Sequence, residues 1–160
     1  MNIATPTRDN ITCFYSRNSP LSNHFPCDFV IDEVTYNSSE QYFTSQKAWY
    51  AKNKKIYHEI MQSRDPVKQK TLAKRIQLDD NWKKSAPEIM LKGLRAKFGQ
   101  NPDLQQFLKQ TGTTLLAEAS LYDKYWGIGL DLQSPNIWQK QAWKGLNTLG
   151  ELLMQVRAEL

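Results

Sequence analysis

The run DFVIDEVTYNSSEQYFTSQKAWY, residues 28–50, sets the architecture. Two short apolar segments, DFVI and VTY, flank Asp32-Glu33, the pattern of a β-hairpin. From Ser39 the period changes. Tyr42, Phe43, Gln46, Trp49 and Tyr50 recur at three and four residues, the spacing of an α-helix. Strand signal giving way to helix signal within one run predicts a mixed fold.

Moving outward, the same signals repeat. ITCFYS, residues 11–16, reads as a strand, and RNSPLSNHFPC after it is too turn-rich for regular structure. Downstream, a second helix is expected over Lys54–Met61. A third starts at Asp65-Pro66, with Asp65 as N-cap and Pro66 in the first turn. A long helical stretch follows Asp80 with Trp82, Ile89, Met90, Leu94 and Phe98. Asn101-Pro102 restarts a helix that Gly112 is placed to end. TTLLAEA reads as a strand, YDKYWGIGLDLQSPN as loop with a short turn at Ile137–Ala142. The last helix begins near Asn147 and aligns Leu149, Leu152, Leu153, Val156 and Leu160 on one face. The expectation is an α+β fold, a predominantly helical single domain with a small β-sheet, residues 1–10 forming an N-terminal extension and 11–160 the domain.

Composition narrows the functional classes. The 160 residues are 40% hydrophobic and 23% charged, which excludes disordered, collagen-like and disulfide-rich chains. Cys13 and Cys27 make no CxxC pair, and His24 and His58 stand at no zinc-like spacing from them, so reduced thiols and no structural metal are expected. No run approaches the ~20 apolar residues of a membrane span, and MNIATPTRDN lacks a signal-peptide core. A soluble, cytoplasmic chain without a membrane or obligate protein partner is the expectation. The net charge of +5 suits an anionic partner. The densest basic clusters, Lys52-Asn53-Lys54-Lys55, Lys68/Lys70/Lys74/Arg75 and Lys83-Lys84, fall inside helical patterns and have solvated helix faces as their simplest account.

No P-loop, GxGxxG, GxSxG or HExxH motif is present, which disfavours ATP hydrolysis, dinucleotide redox chemistry, serine hydrolysis and zinc proteolysis. Chemistry concentrates in two segments. In Asn37-Ser-Ser-Glu40-Gln41-Tyr42, Asn37 or Ser38 caps the helix and Glu40 or Gln41 closes a capping box. Yet Glu40 and Lys47, seven residues apart, share one azimuth with ~10 Å of rise between them, a spacing suited to two groups bordering one pocket. In Glu118-Ala-Ser-Leu-Tyr-Asp123-Lys-Tyr-Trp126-Gly127, a carboxylate, an indole and a glycine follow a strand. The indole offers a stacking surface and the glycine a close approach to a ligand; the plain alternative is a core Trp126 and an Asp123 that caps a turn. Asn147 is most simply the last helix's N-cap, Trp82 a core residue, and Ser22-Asn23 part of an ordinary turn. Carboxylates, a lysine and aromatic plates suit cleavage of a glycosidic bond to a base, because a carboxylate stabilises the cationic sugar while a second group protonates the departing nitrogen.

Phe14-Tyr15-Ser16, Pro20-Leu-Ser22-Asn23, Tyr36-Asn37-Ser-Ser-Glu40-Gln41-Tyr42, Lys47, Trp82, Gly93-Leu-Arg95-Ala-Lys97-Phe98, Asp123-Lys-Tyr-Trp126-Gly127 and Gly145-Leu-Asn147-Thr-Leu-Gly150 occur in order along the chain. Together they resemble the YbiA-like N-glycosidases of the NADAR superfamily. The resemblance implies a cofactor-free hydrolase that splits ribosylamino-pyrimidine phosphates, early intermediates of riboflavin biosynthesis, into ribose 5-phosphate and an aminopyrimidine. Other members resemble hydrolases that remove ADP-ribose from guanine in nucleic acid, so ADP-ribosylated nucleic acid is the alternative substrate and a non-catalytic nucleotide-binding module the alternative class. The resemblance further implies Glu40 as general acid/base, Lys47 as Schiff-base nucleophile or else as a phosphate ligand or a group that holds Glu40, and Asp123 as the group orienting sugar or water. Trp82 or Trp126 would stack on the base, while Ser22, Asn23, Gly127 and Asn147 supply further contacts. Two departures, Asp32-Glu33 where Asp-Gly is usual in the hairpin and Leu121 where proline is common, touch none of these residues. The loop 130–141 varies in the family and is expected to tune substrate preference.

Overall fold

The computed structural model describes residues 4–160. In chain order its elements are β1 (Thr7–Arg8), β2 (Ile11–Phe14), β3 (Phe29–Ile31), β4 (Val34–Tyr36), α1 (Ser39–Tyr50), α2 (Lys54–Met61), α3 (Pro66–Ala73), α4 (Asp80–Gln100), α5 (Pro102–Gln110), β5 (Leu115–Glu118) and α6 (Thr148–Glu159), with two short 3-10 turns at Pro135–Trp138 and Lys140–Ala142. The architecture is α+β and helix-rich. It divides into two compact units, residues 26–102 and residues 1–25 with 103–160.

In the 26–102 unit, β3 and β4 pair antiparallel with Ile31 opposite Val34. The two residues left between them, Asp32 and Glu33, have φ of 50° and 68°. That makes a tight two-residue turn of the kind whose twist matches the strands. The hairpin buries Phe29 and Tyr36 against Tyr42 of α1, with ring centroids 5.2–6.3 Å apart. A second cluster, Ala48, Ile56, Ile60, Leu72, Ala73 and Ile76, joins α1 to α2 and α3.

Local chemistry explains the helix boundaries in this unit. Asn53 accepts a hydrogen bond from the Ile56 amide, Asp65 from the Val67 amide and Asp79 from the Trp82 amide, three N-caps that satisfy orphan donors. Pro87 lies inside α4, which continues through it without that residue's amide donor.

In the other unit, β2 lies between β1 on one side, antiparallel, and β5 on the other, parallel, with Ile11 opposite Leu115 and Phe14 opposite Glu118. β1 falls within the ten residues expected as an N-terminal extension. The core of this unit gathers Ile11, Cys13, Ala117, Ala119, Ile128, Leu130 and Ile137. Of the expected apolar face of α6, Leu149, Leu153 and Val156 are buried, Leu152 is half-buried and Leu160 is exposed. Helix α6 comes so close to β5 that a Cβ on Gly150 would overlap the Leu116 carbonyl. Between β2 and β3, residues 16–25 wind through consecutive turns, with Ser22 donating its amide to the Ser19 carbonyl and Phe25 to that of Ser22.

Cys13 and Cys27 are free thiols, and burial pushes Cys13 up to about 12. Among the described residues no helix is long and apolar enough to cross a membrane, and no group of three His, Cys, Asp or Glu side chains is arranged to hold a metal ion.

Candidate active site

Helix α1 buries a face that is not an apolar stripe. Its buried residues are Ser39, Glu40, Gln41, Tyr42, Thr44, Ser45 and Ala48, while Trp49 is 68% exposed and Tyr50 39% exposed. The aromatic residues repeat at helical spacing, but the face turned inward is largely polar. Buried polar side chains must find partners, and most on this face do so locally. Thr44 donates to the Glu40 carbonyl at 2.7 Å and Ser45 to the Tyr42 carbonyl at 2.7 Å.

The start of α1 shows which residue performs the capping. Ser38 is the N-cap, its hydroxyl accepting from the Gln41 amide at 3.0 Å. Gln41 closes the motif by accepting the Asn37 amide at 2.8 Å and donates its own side-chain amide to carbonyls of Ile60 and Ser63. Asn37 and Gln69 both donate to the Ser63 carbonyl as well. The structural work at this helix end therefore falls to Ser38 and Gln41. Glu40, in the same first turn, is buried, with 8% exposure.

Lys47 lies two turns along the same face of α1, half-buried. Loss of hydration lowers its ammonium below the usual lysine range, since burial penalises the charged form. A carboxylate and a lysine whose pKa is lowered by burial thus share one side of one helix. Trp82 is 6% exposed and packs against Phe43 and Tyr50, each with centroids 5.5 Å away.

Lys97 is the residue whose position the motif reading passed over. It is 0% exposed, with its ammonium 5.0 Å from the Phe98 ring centroid. Burial lowers it to about 8, a shift that the nearby Cys27 partly opposes. The signal was present in the sequence: Lys97 follows Leu94 by three residues and Met90 by seven, which places it on the buried stripe of α4.

The remaining candidates belong to the unit that holds β5. Asp123 accepts the amides of Tyr125 at 3.1 Å and Trp126 at 2.8 Å through one carboxylate oxygen, so that oxygen organises the turn. Trp126 is half-buried and meets Tyr125 edge-on at 4.9 Å. Gly127 admits no side chain, because a Cβ there would stand 2.9 Å from the Glu118 carbonyl and 3.0 Å from that of Asp123.

Asn147 precedes α6 in the left-handed region, φ 56°, and its side chain does not cap the helix. Instead it accepts the Glu118 amide at 3.1 Å and donates to the Leu116 carbonyl at 2.8 Å. Its backbone amide donates to the Gly127 carbonyl. The expected N-cap is thus a bridge that ties α6 to the end of β5. Asp123, Trp126, Gly127 and Asn147 are consequently knitted together around the C-terminal end of β5, where the half-buried carboxylate of Glu118 sits. Ser22 and Asn23 are buried in the turns of residues 16–25, and the Ser22 hydroxyl accepts the His24 amide at 3.1 Å.

Residues 13–160 match the NADAR domain family. N-glycosidase R617 of Acanthamoeba polyphaga mimivirus is 38% identical over 146 residues, covering 87% of this chain and 86% of R617. Riboflavin biosynthesis protein VVA0006 of Vibrio vulnificus is 31% identical, with 88% of this chain matching 35% of that longer protein. The NMR structure of Escherichia coli YbiA superposes with a TM-score of 0.76 at 31% sequence identity, covering 98% of this chain and 88% of that one. In sequence, N-glycosidase YbiA of Escherichia coli is 32% identical over 162 residues, 96% of this chain and 90% of YbiA.

Proposed function

Since the chain belongs to the NADAR domain family and is a hydrolase of N-glycosyl bonds, we propose that its substrates are ribosylamino-pyrimidine 5′-phosphates, split into ribose 5-phosphate and an aminopyrimidine. The observation that carries this reading is the polar inward face of α1, along which the buried Glu40 and the half-buried Lys47, its pKa lowered by burial, stand seven residues apart. The likeness to a riboflavin biosynthesis protein supports the choice of base.

A ribose joined through an exocyclic amine can open to an imine, which an ordinary ring nucleoside cannot do. In the proposed reaction the neutral Lys47 amine adds to C1 of the opened sugar, forming a C–N bond to the enzyme. Glu40, as general acid, protonates the pyrimidine amine. The old C1–N bond then breaks, the aminopyrimidine leaves, and a Lys47 imine remains. Water adds to this imine with Glu40 taking its proton, and loss of Lys47 as the amine frees ribose 5-phosphate. The net change is one water consumed per C–N bond cleaved. Burial helps because a lysine is nucleophilic only as the free amine. General acid–base assistance of this kind is worth roughly 10²–10⁴ in rate.

Trp126 is assigned to the pyrimidine ring and Asp123 to the sugar on the strength of the family likeness. Asn147 is assigned a positioning role, because both ends of its side-chain amide are engaged with β5. Borohydride added during turnover tests the covalent step. The expected result is a reduced ribose phosphate adduct on the peptide carrying Lys47, absent from Lys47→Met. Full turnover with no adduct on any lysine would overturn the Schiff-base scheme.

A further inference from the structure

The α1–α2 elbow carries a second concentration of ligand-binding chemistry. Helix α1 ends in a Schellman-type turn, with the Lys52 amide donating to the Trp49 carbonyl and the Asn53 amide to that of Ala48. Lys52 occupies the left-handed position at φ 57°, where glycine is usual, and Asn53 at once caps α2. Over this elbow lies a cavity of about 520 Å³ lined by Trp49, Lys52, Asn53, Lys54, Tyr57 and His58. Trp49 is 68% exposed and Tyr57 meets it edge-on at 5.6 Å, so much of the indole is open to a ligand. Lys52, Lys54, Lys55 and His58 are exposed, and the one acidic side chain of α2, Glu59, is half-buried.

The cavity is separate from the face that holds Glu40 and Lys47. Each residue of an α-helix advances about 100° around the axis, so Trp49 projects about 200° away from Lys47, on the opposite side of α1. A large aromatic surface left in water beside a cluster of cations is the composition that binds stacked bases and their phosphates. Three exposed lysines within four residues exceed what a single phosphate requires and match the repeating charge of a strand.

We propose that this elbow is a docking site for single-stranded nucleic acid, with one base stacked on Trp49 and the neighbouring phosphates held by Lys52 and Lys54. The site is independent of the hydrolysis reading, and its test involves no turnover, so either can fail alone.

Fluorescence anisotropy of a labelled twelve-residue oligothymidylate, titrated with the 160-residue protein at 20–200 mM NaCl, reads the interaction directly. Stacking contributes about 1–3 kcal/mol per base, so Trp49→Leu should weaken binding roughly 5- to 150-fold. Lys52→Gly/Lys54→Ala should lower the slope of log affinity against log salt by about 1.4, since each single-strand phosphate contact contributes about 0.7. Lys52→Gly alone should bind more weakly while melting at the same or a higher temperature, because glycine suits φ 57°, and this separates lost binding from lost folding. Absence of binding at 20 mM NaCl, unchanged affinity in Trp49→Leu, or equal affinity for free thymidine monophosphate would each overturn the proposal.

Discussion

Lys97 places an ammonium where water does not reach, and the consequence is a pH-dependent stability. Its pKa is about 8 in the folded protein against 10.5 in an unfolded chain. Below pH 8 both states are protonated and the folded state bears the full cost of burying the charge. Between 8 and 10.5 the unfolded state holds more protons, so this residue's penalty fades as pH rises. At 1.36 kcal/mol per pKa unit the penalty is on the order of 3 kcal/mol. Lys97→Met, which keeps much of the volume, should therefore raise stability by a few kcal/mol at pH 7, with the gain shrinking in urea titrations at pH 9 and 10. A gain constant across that range would assign it to packing alone. The contrast with Lys47 is one of depth. Half-buried, it keeps access to solvent, and burial shifts it in the same direction, toward the free amine that a lysine nucleophile uses.

At the scale of elements, two of the left-handed residues show opposite uses of that conformation. Glu33 sits at φ 68° in the β3–β4 turn, where an L side chain is strained by about 1 kcal/mol. Glu33→Gly should stabilise the protein by about 0.5–1 kcal/mol in denaturant titrations, with no change in β3–β4 pairing; a loss of stability would mean that the Glu33 side chain contributes more than its backbone costs. Asn147 is the opposite case, a left-handed residue whose side chain makes the position worthwhile. Asn147→Ala would strand the Glu118 amide and the Leu116 carbonyl, which now bond to it. Leaving buried polar groups unpaired costs about 1–3 kcal/mol each, so a loss of roughly 2–5 kcal/mol is expected by thermal or urea unfolding. A loss below 1 kcal/mol would show that β5 is held by other means.

For the whole molecule, helix boundaries were the most legible feature because caps are local. Asp65-Pro66 and Asn101-Pro102 each announce a helix start within two residues, and Gly112, at φ 62°, follows the end of α5 as expected. The strand positions followed from period, but the parallel pairing of β2 with β5 joins residues about 100 positions apart, and nothing local encodes it. The aromatic spacing of α1 announced a helix but not its inward face, where Tyr42 is buried among small polar residues while Trp49 and Tyr50 are exposed. The polar face that resulted is where the candidate chemistry lies. Asn147 was readable as a cap from its place before α6, while its use by β5 depends on a contact 29–31 residues away. That Glu40 and Lys47 share one face of α1 was legible because seven residues is nearly two helical turns; how deeply each is buried was not.

The central claim is that the inward face of α1 hydrolyses a ribosylamine. Its most direct test is release of ribose 5-phosphate from ribosylaminouracil 5′-phosphate by the wild type, Glu40→Gln and Lys47→Met, each first shown to be folded by circular dichroism. Turnover by the wild type and losses of roughly 10²-fold or more in kcat for both variants are expected. Folded wild-type protein without activity on this substrate, or either variant retaining wild-type kcat, would contradict it.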